Sequence, residues 1–209
     1  MLLDVKKTLF ICFMSLLLGF LFSSWNLLYL VFSPILKPMA LHYLLAGPWL
    51  MPAPFLMLFF LLLEKNILIQ DTKSHSLFGI GFLASFISSV VTMTLGHWGP
   101  MSLLWGFLQA LGTETAFYVF HRTPNKKIKI FGSLCCGSFL SASLSFILDF
   151  YFYHYHKLSD EKIFRMFASF QLSALIFSSL LTYFFVSQLL ARVGDKRIFK
   201  TFFKAQVRR

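Results

Sequence analysis

The stretch GFLQALGTETAF, residues 106–117, holds a carboxamide and a carboxylate, Gln109 and Glu114, inside a run otherwise fit for hydrocarbon. A charged side chain facing lipid costs on the order of 3 kcal/mol, so such a group is expected to face a cavity or a partner. At about 100° per residue, Trp105, Gln109 and Gly112 share one side of a helix, and Glu114 lies about 140° round from Gln109. One ligand is gripped by both only from the edge between them; Gly112 permits a distortion, and two separate jobs are the alternative. No basic residue is buried in another run to pair with Glu114. A protonated acid bonded to a backbone carbonyl is the plain alternative.

A second acid, Asp149, closes a line of small residues, Gly137, Ser141 and Ser145, at four-residue spacing. These would leave a thin groove beside it. Aromatic residues gather at the same ends of the apolar runs: Trp25, Tyr43, Trp49, Trp98, Trp105, Tyr151 and Tyr153. Taken singly, each fits an interfacial belt. Beside a carboxylate and a carboxamide they also suit a flat, partly cationic heteroaromatic molecule, which stacks on rings and is read at its nitrogen edges.

The histidines His97, His154 and His156 find no cysteine or carboxylate at metal-ligand spacing, so no metal is expected. The cysteines Cys12, Cys135 and Cys136 read as inert apolar residues. There is no G-x-x-x-x-G-K-[ST] loop, no G-x-S-x-G and no H-E-x-x-H, and one deep acid has no second catalytic group near it. Neither an ATP-hydrolysing engine nor an enzyme is expected, and no cofactor is implied.

The elements that position these groups follow from composition. Of 209 residues, 57% are hydrophobic, 28 are Phe and only 13% are charged, about half the charged share of soluble domains. The apolar residues fall in blocks near the length that crosses roughly 30 Å of hydrocarbon. The expected fold is all-α, a polytopic membrane protein with six transmembrane helices in one bundle and one domain over 1–209. The expected spans are Leu9–Phe32, Trp49–Leu63, Ser76–Leu95, Met101–Phe120, Ile128–Tyr153 and Phe164–Leu190. Pro48, Pro52 and Pro54 make the start of the second irregular or surface-exposed. Lys6-Lys7 before the first run resembles a secretory signal, but the run is long and no A-x-A site follows, so a retained helix is expected.

Fifteen Lys and Arg fall at the N-terminus, in the second and fourth connections and in the basic tail 191–209; four (Lys37, Lys157, Lys162, Arg165) fall on the other side. This positive-inside bias places both termini in the cytoplasm. It accounts for most of the net charge of +11 without nucleic acid. The tail also suits anionic lipid or a cytoplasmic partner. In the first span, Ser15, Gly19 and Ser23 form a stripe that lets a helix backbone approach closely, either another helix of this chain or a different subunit.

Gly47-Pro48-Trp49, Gly99-Pro100-Met101, Gln109-Ala110-Leu111-Gly112-Thr113-Glu114 and Phe146-Ile147-Leu148-Asp149 fall in a characteristic order and spacing. Over about Trp25–Tyr153 the chain resembles the YkoE-type substrate-binding (S) component of energy-coupling-factor (ECF) transporters, assigned to thiamine or its hydroxymethylpyrimidine precursor. The resemblance implies a six-helix membrane subunit that captures a vitamin from outside. It also implies association with a transmembrane coupling subunit and two cytoplasmic ATPases. Carried over, it puts ligand recognition on Glu114, Gln109 and Trp49 and the coupling-subunit contact on Ser15, Gly19 and Ser23. Trp98 and Trp105 would stack on the ligand. Asp149 and Tyr43 complete the expected site. The chain departs from the pattern at Thr92, where a carboxylate is expected, and in a shorter loop carrying His97-Trp98. The rival reading is a non-transporting interaction or assembly protein whose polar groups only join helices.

Overall fold

The structure, a computed structural model, describes residues 5–66, 79–95 and 99–193. Trp98 and the tail from residue 194 lie outside the described residues. Among these residues the chain is all-helical. The helices are α1 (Val5–Leu36), α2 (Pro52–Asn66), α3 (Ile80–Leu95), α4 (Met101–His121), α5 (Lys126–Phe152), α6 (Asp160–Ala174) and α7 (Thr182–Val193). A π-helical stretch, Leu175–Leu181, joins α6 to α7 without a break. Among the described residues, three helical segments are long and apolar enough to cross a membrane: Thr8–Leu36, Lys126–Phe152 and Asp160–Arg192. The apolar helices Pro52–Leu62 and Ile80–Leu95 are shorter. α4 is 21 residues long, but Gln109 and Glu114 lower its hydropathy.

The elements depart from the expected spans mainly at their ends. The second begins irregularly, in two 3-10 turns (His42–Leu45 and Gly47–Leu50) ahead of α2. Its next residues, Met51 to Phe60, are all buried. A helix apolar all round belongs in the interior, and α2 contacts α1, α3, α4, α5 and α7. A helix start leaves orphan N–H donors. Pro52 and Pro54 remove two of them. Around α2, Phe59, Phe60, Ile11, Leu134 and Val186 form the main apolar core.

The helices that carry the candidate residues approach closely through small side chains. A Cβ on Gly106 would lie 1.9 Å from Ser89 Oγ, and one on Gly112 would lie 2.5 Å from the Ser141 backbone nitrogen. Ser141 Oγ donates to Gln109 O at 2.8 Å and lies 3.1 Å from Thr113 Oγ1, so α4 and α5 are joined by hydrogen bonds as well as by contact. Gly106→Ala is expected to push α3 off α4 and to cost about 1–3 kcal/mol, the usual penalty for overpacking. Thermal unfolding of the purified protein in detergent reads it; an unchanged midpoint contradicts the packing described.

Two members of the stripe Ser15, Gly19, Ser23 meet α3 within the chain, Ser15 and Gly19. Ser15 is fully buried, Ser15 O accepts from Ser88 Oγ at 3.1 Å, and a Cβ on Gly19 would lie 3.0 Å from Val91 Cβ. Of the two neighbours open to this stripe, a helix of the same chain is the one seen at Ser15 and Gly19. What α1 leaves uncovered is its large apolar face, including Leu9, Phe13, Leu17, Phe20 and Leu27.

Candidate functional site

The site is assembled from the turns between α1 and α2 outward. Two indoles anchor them to α1: Trp25 Nε1 donates to Leu45 O (2.9 Å) and Trp49 Nε1 to Phe22 O (3.2 Å). On the opposite side Ser173 Oγ accepts from Gly47 N (2.9 Å) and donates to Leu44 O (2.7 Å). The turns are thus fixed between α1 and α6. Tyr43 is held within them, its ring stacked on Phe170 with centroids 4.9 Å apart.

Tyr43 points its hydroxyl at Asp149, in the last turn of α5, and donates to Oδ2 at 2.5 Å. Trp105 Nε1 donates to Oδ1 at 2.8 Å. The acid is 3% exposed, and its burial is offset by a donor on each oxygen, the arrangement a carboxylate needs away from water. Tyr155 lies 3.2 Å from the Tyr43 hydroxyl. Because Tyr43 gives its single proton to Asp149, Tyr155 is the donor in that contact. Burial, followed by the neighbouring Asp149 charge, pushes the Tyr43 phenol well above its ordinary range. Burial likewise pushes Tyr155 up to about 12. Both remain donors throughout the physiological range.

Asp149 forms part of the wall of a cavity with about 720 Å³ of empty space, its mouth included. The cavity lies where the later half of α1, the two turns, the end of α3, the start of α4 and the end of α5 converge. Trp49, Tyr29, Tyr43, Trp105, Phe22 and Phe170 supply ring faces or edges, and Gln109 supplies a carboxamide. Tyr29 meets Trp49 edge-on at 5.3 Å. Such a chamber, largely aromatic with a few convergent polar groups, has the makeup of a small-molecule site.

Of the expected ligand-binding residues, Trp49, Trp105, Gln109, Asp149 and Tyr43 all line this cavity. Trp98 lies outside the described residues. Glu114 is not among the lining residues. Its Oε2 accepts from Gly79 N at 3.0 Å and its Oε1 from Phe82 N at 3.1 Å. The carboxylate therefore caps the start of α3, where unpaired N–H groups and the positive end of the helix dipole meet it. Both of its oxygens are thus engaged by backbone donors. Gln109 and Glu114 serve different places on α4.

Of the hydroxyl residues in the wall, the sequence pointed only to Ser145, beside Asp149, and to Thr92. Ser85, Ser88, Ser89 and Thr92 give α3 one polar face on the cavity, joined by Ser102 of α4 and Ser145 of α5. The i, i+3, i+4, i+7 spacing of Ser85–Thr92 was the available signal. Ser85, Ser102 and Ser145 are each buried, at 2%, 4% and 2% exposure, and their Oγ atoms have no hydrogen-bond partner in the protein. Among the described residues no group of three His, Cys, Asp or Glu is placed to hold a metal ion.

Residues 76–143, about a third of the chain, match the family described as "ABC-type cobalt transport system, permease component". None of the curated proteins matches the chain. Among solved structures, the chain is similar to "Crystal structure of an S-component of ECF transporter", with a TM-score of 0.66 and 19% identity. The match covers 99% of this chain and 96% of that one. The likeness extends through the whole helical arrangement, and the chain has the fold of that S component.

Proposed function

We propose that this chain is the substrate-capturing membrane subunit of an ECF-type importer and that its ligand is thiamine or hydroxymethylpyrimidine. The observation that carries this reading is Asp149, held by Tyr43 and Trp105 in the wall of an aromatic cavity. A carboxylate there favours a cationic or amino-bearing guest, ring faces favour a flat one, and both features belong to a thiazolium or aminopyrimidine ring. The resemblance over Gly99–Asp149 and the S-component fold support the same reading.

In this reading six helices span the membrane, both termini are cytoplasmic, and the cavity opens outward. Gln109 supplies a second hydrogen-bonding edge, and Trp49 or Trp105 stacks on the ligand. A coupling subunit and two ATPases provide the energy that this chain has no phosphate loop to harvest. Isothermal titration of the purified protein with thiamine and with hydroxymethylpyrimidine tests the proposal. Binding at micromolar concentration or tighter is the expected result. Absence of binding by both overturns it and favours the assembly-protein reading.

A further inference from the structure

Among the described residues nothing balances the charge of Asp149. It accepts from Tyr43 and Trp105, and both donors are neutral. A donor on each oxygen suits the ionised form of the acid yet brings no positive charge. Among the described residues Asp149 forms no ion pair, and no Lys, Arg or His lines the cavity. Its place on the helix adds to the imbalance. Asp149 lies in the last turn of α5, which holds no basic residue, and the C-terminal end of a helix dipole is itself negative. Glu114 shows the contrast, because it meets the start of α3, where N–H groups and the positive end of the dipole offset its charge. A buried carboxylate without a cation is costly. The rings act in the same sense: Tyr29, Tyr43, Trp49 and Trp105 share the wall with Asp149, and aromatic faces attract cations.

We propose that the chamber selects a permanent cation and that Asp149 is the counter-ion responsible. This inference rests on the proposed vitamin-capturing role and chooses between its two ligands. The quaternary nitrogen of a thiazolium ring is charged at every pH, whereas hydroxymethylpyrimidine is neutral at physiological pH. Thiamine therefore brings the missing charge and hydroxymethylpyrimidine does not. Hydrogen bonding alone does not separate the two, because both carry the same aminopyrimidine edge. Charge does separate them, since unlike charges attract far more strongly in a buried wall than in water.

The test isolates charge from shape. Wild-type protein in detergent is titrated with thiamine and with the analogue in which a neutral thiophene of nearly the same outline replaces the thiazolium ring. Thiamine is expected to bind about tenfold or more tightly than the analogue, through the carboxylate and the ring faces together. In Asp149→Asn the preference is expected to shrink to about threefold or less, the part that the rings alone supply. Thermal unfolding checks that variant, and Asp149→Ser supplies a second neutral side chain. Equal affinity of the wild type for the two compounds overturns the inference, as does a preference that survives whole in a folded neutral variant. Binding of hydroxymethylpyrimidine without thiamine also overturns it and leaves the vitamin-capturing role standing. If neither of those two binds, that role fails as well.

Discussion

Asp149→Asn is expected to weaken binding of thiamine by about 10- to 150-fold while leaving the fold intact, the range that corresponds to losing a hydrogen bond to a charged group. The substitution tests charge with little change in shape. The asparagine carbonyl oxygen can still accept from Trp105 Nε1, and its amide can donate to the Tyr43 oxygen if that hydroxyl turns around. Asp149→Ala is harsher. It leaves the Trp105 indole N–H and the Tyr43 hydroxyl without their acceptor, at a cost of about 1–3 kcal/mol for each buried donor. Stability and binding therefore separate in the asparagine variant and fall together in the alanine variant. Equal affinity in wild type and Asp149→Asn, measured by titration in detergent, contradicts a role for the carboxylate in capture.

The second large effect is on stability. Glu114→Ala removes the acceptor for Gly79 N and Phe82 N in a position where the side chain is 4% exposed. It also removes the group that meets the positive end of α3. Two orphaned donors, with the loss of a helix cap, predict destabilisation of about 2–5 kcal/mol. Glu114→Gln keeps one carbonyl oxygen and is expected to lose roughly half as much. Thermal unfolding separates the three proteins. Affinity per folded molecule should be unchanged in Glu114→Gln, because the side chain does not line the cavity. If Glu114→Ala unfolds with the wild type, the cap is not holding α3.

The contrast between these two acids shows what the sequence carried and what it did not. Apolar runs reveal helices because length and composition alone decide whether a segment suits hydrocarbon. Accordingly α1 and α5 lie within a few residues of their expected positions, and the prolines marked the irregular entry to α2. The π-helical stretch Leu175–Leu181 carries no such mark, since its residues would serve equally in an α-helix. Trp49, Trp105, Gln109, Tyr43 and Asp149 could be named because polar and aromatic side chains at the same ends of several helices are brought together by any bundle. The role of Glu114 was hidden because its partners are backbone N–H groups, which every residue except proline possesses. The Ser15, Gly19, Ser23 stripe likewise announces a close helix neighbour without naming it, and the neighbour is α3. Ser145 could be named from the small-residue line beside Asp149, whereas Ser85 and Ser102 passed unnoticed because a hydroxyl in a membrane helix ordinarily bonds to its own backbone.

Tryptophan fluorescence offers the most direct measurement, because Trp49 and Trp105 both line the cavity. Thiamine is titrated into the wild type, Asp149→Asn and Glu114→Gln. Saturable quenching at micromolar ligand in the wild type and in Glu114→Gln, shifted to much higher concentration in Asp149→Asn, is the result predicted. Quenching that survives in Asp149→Asn but vanishes in a folded Glu114→Gln would place the guest elsewhere and contradict the account.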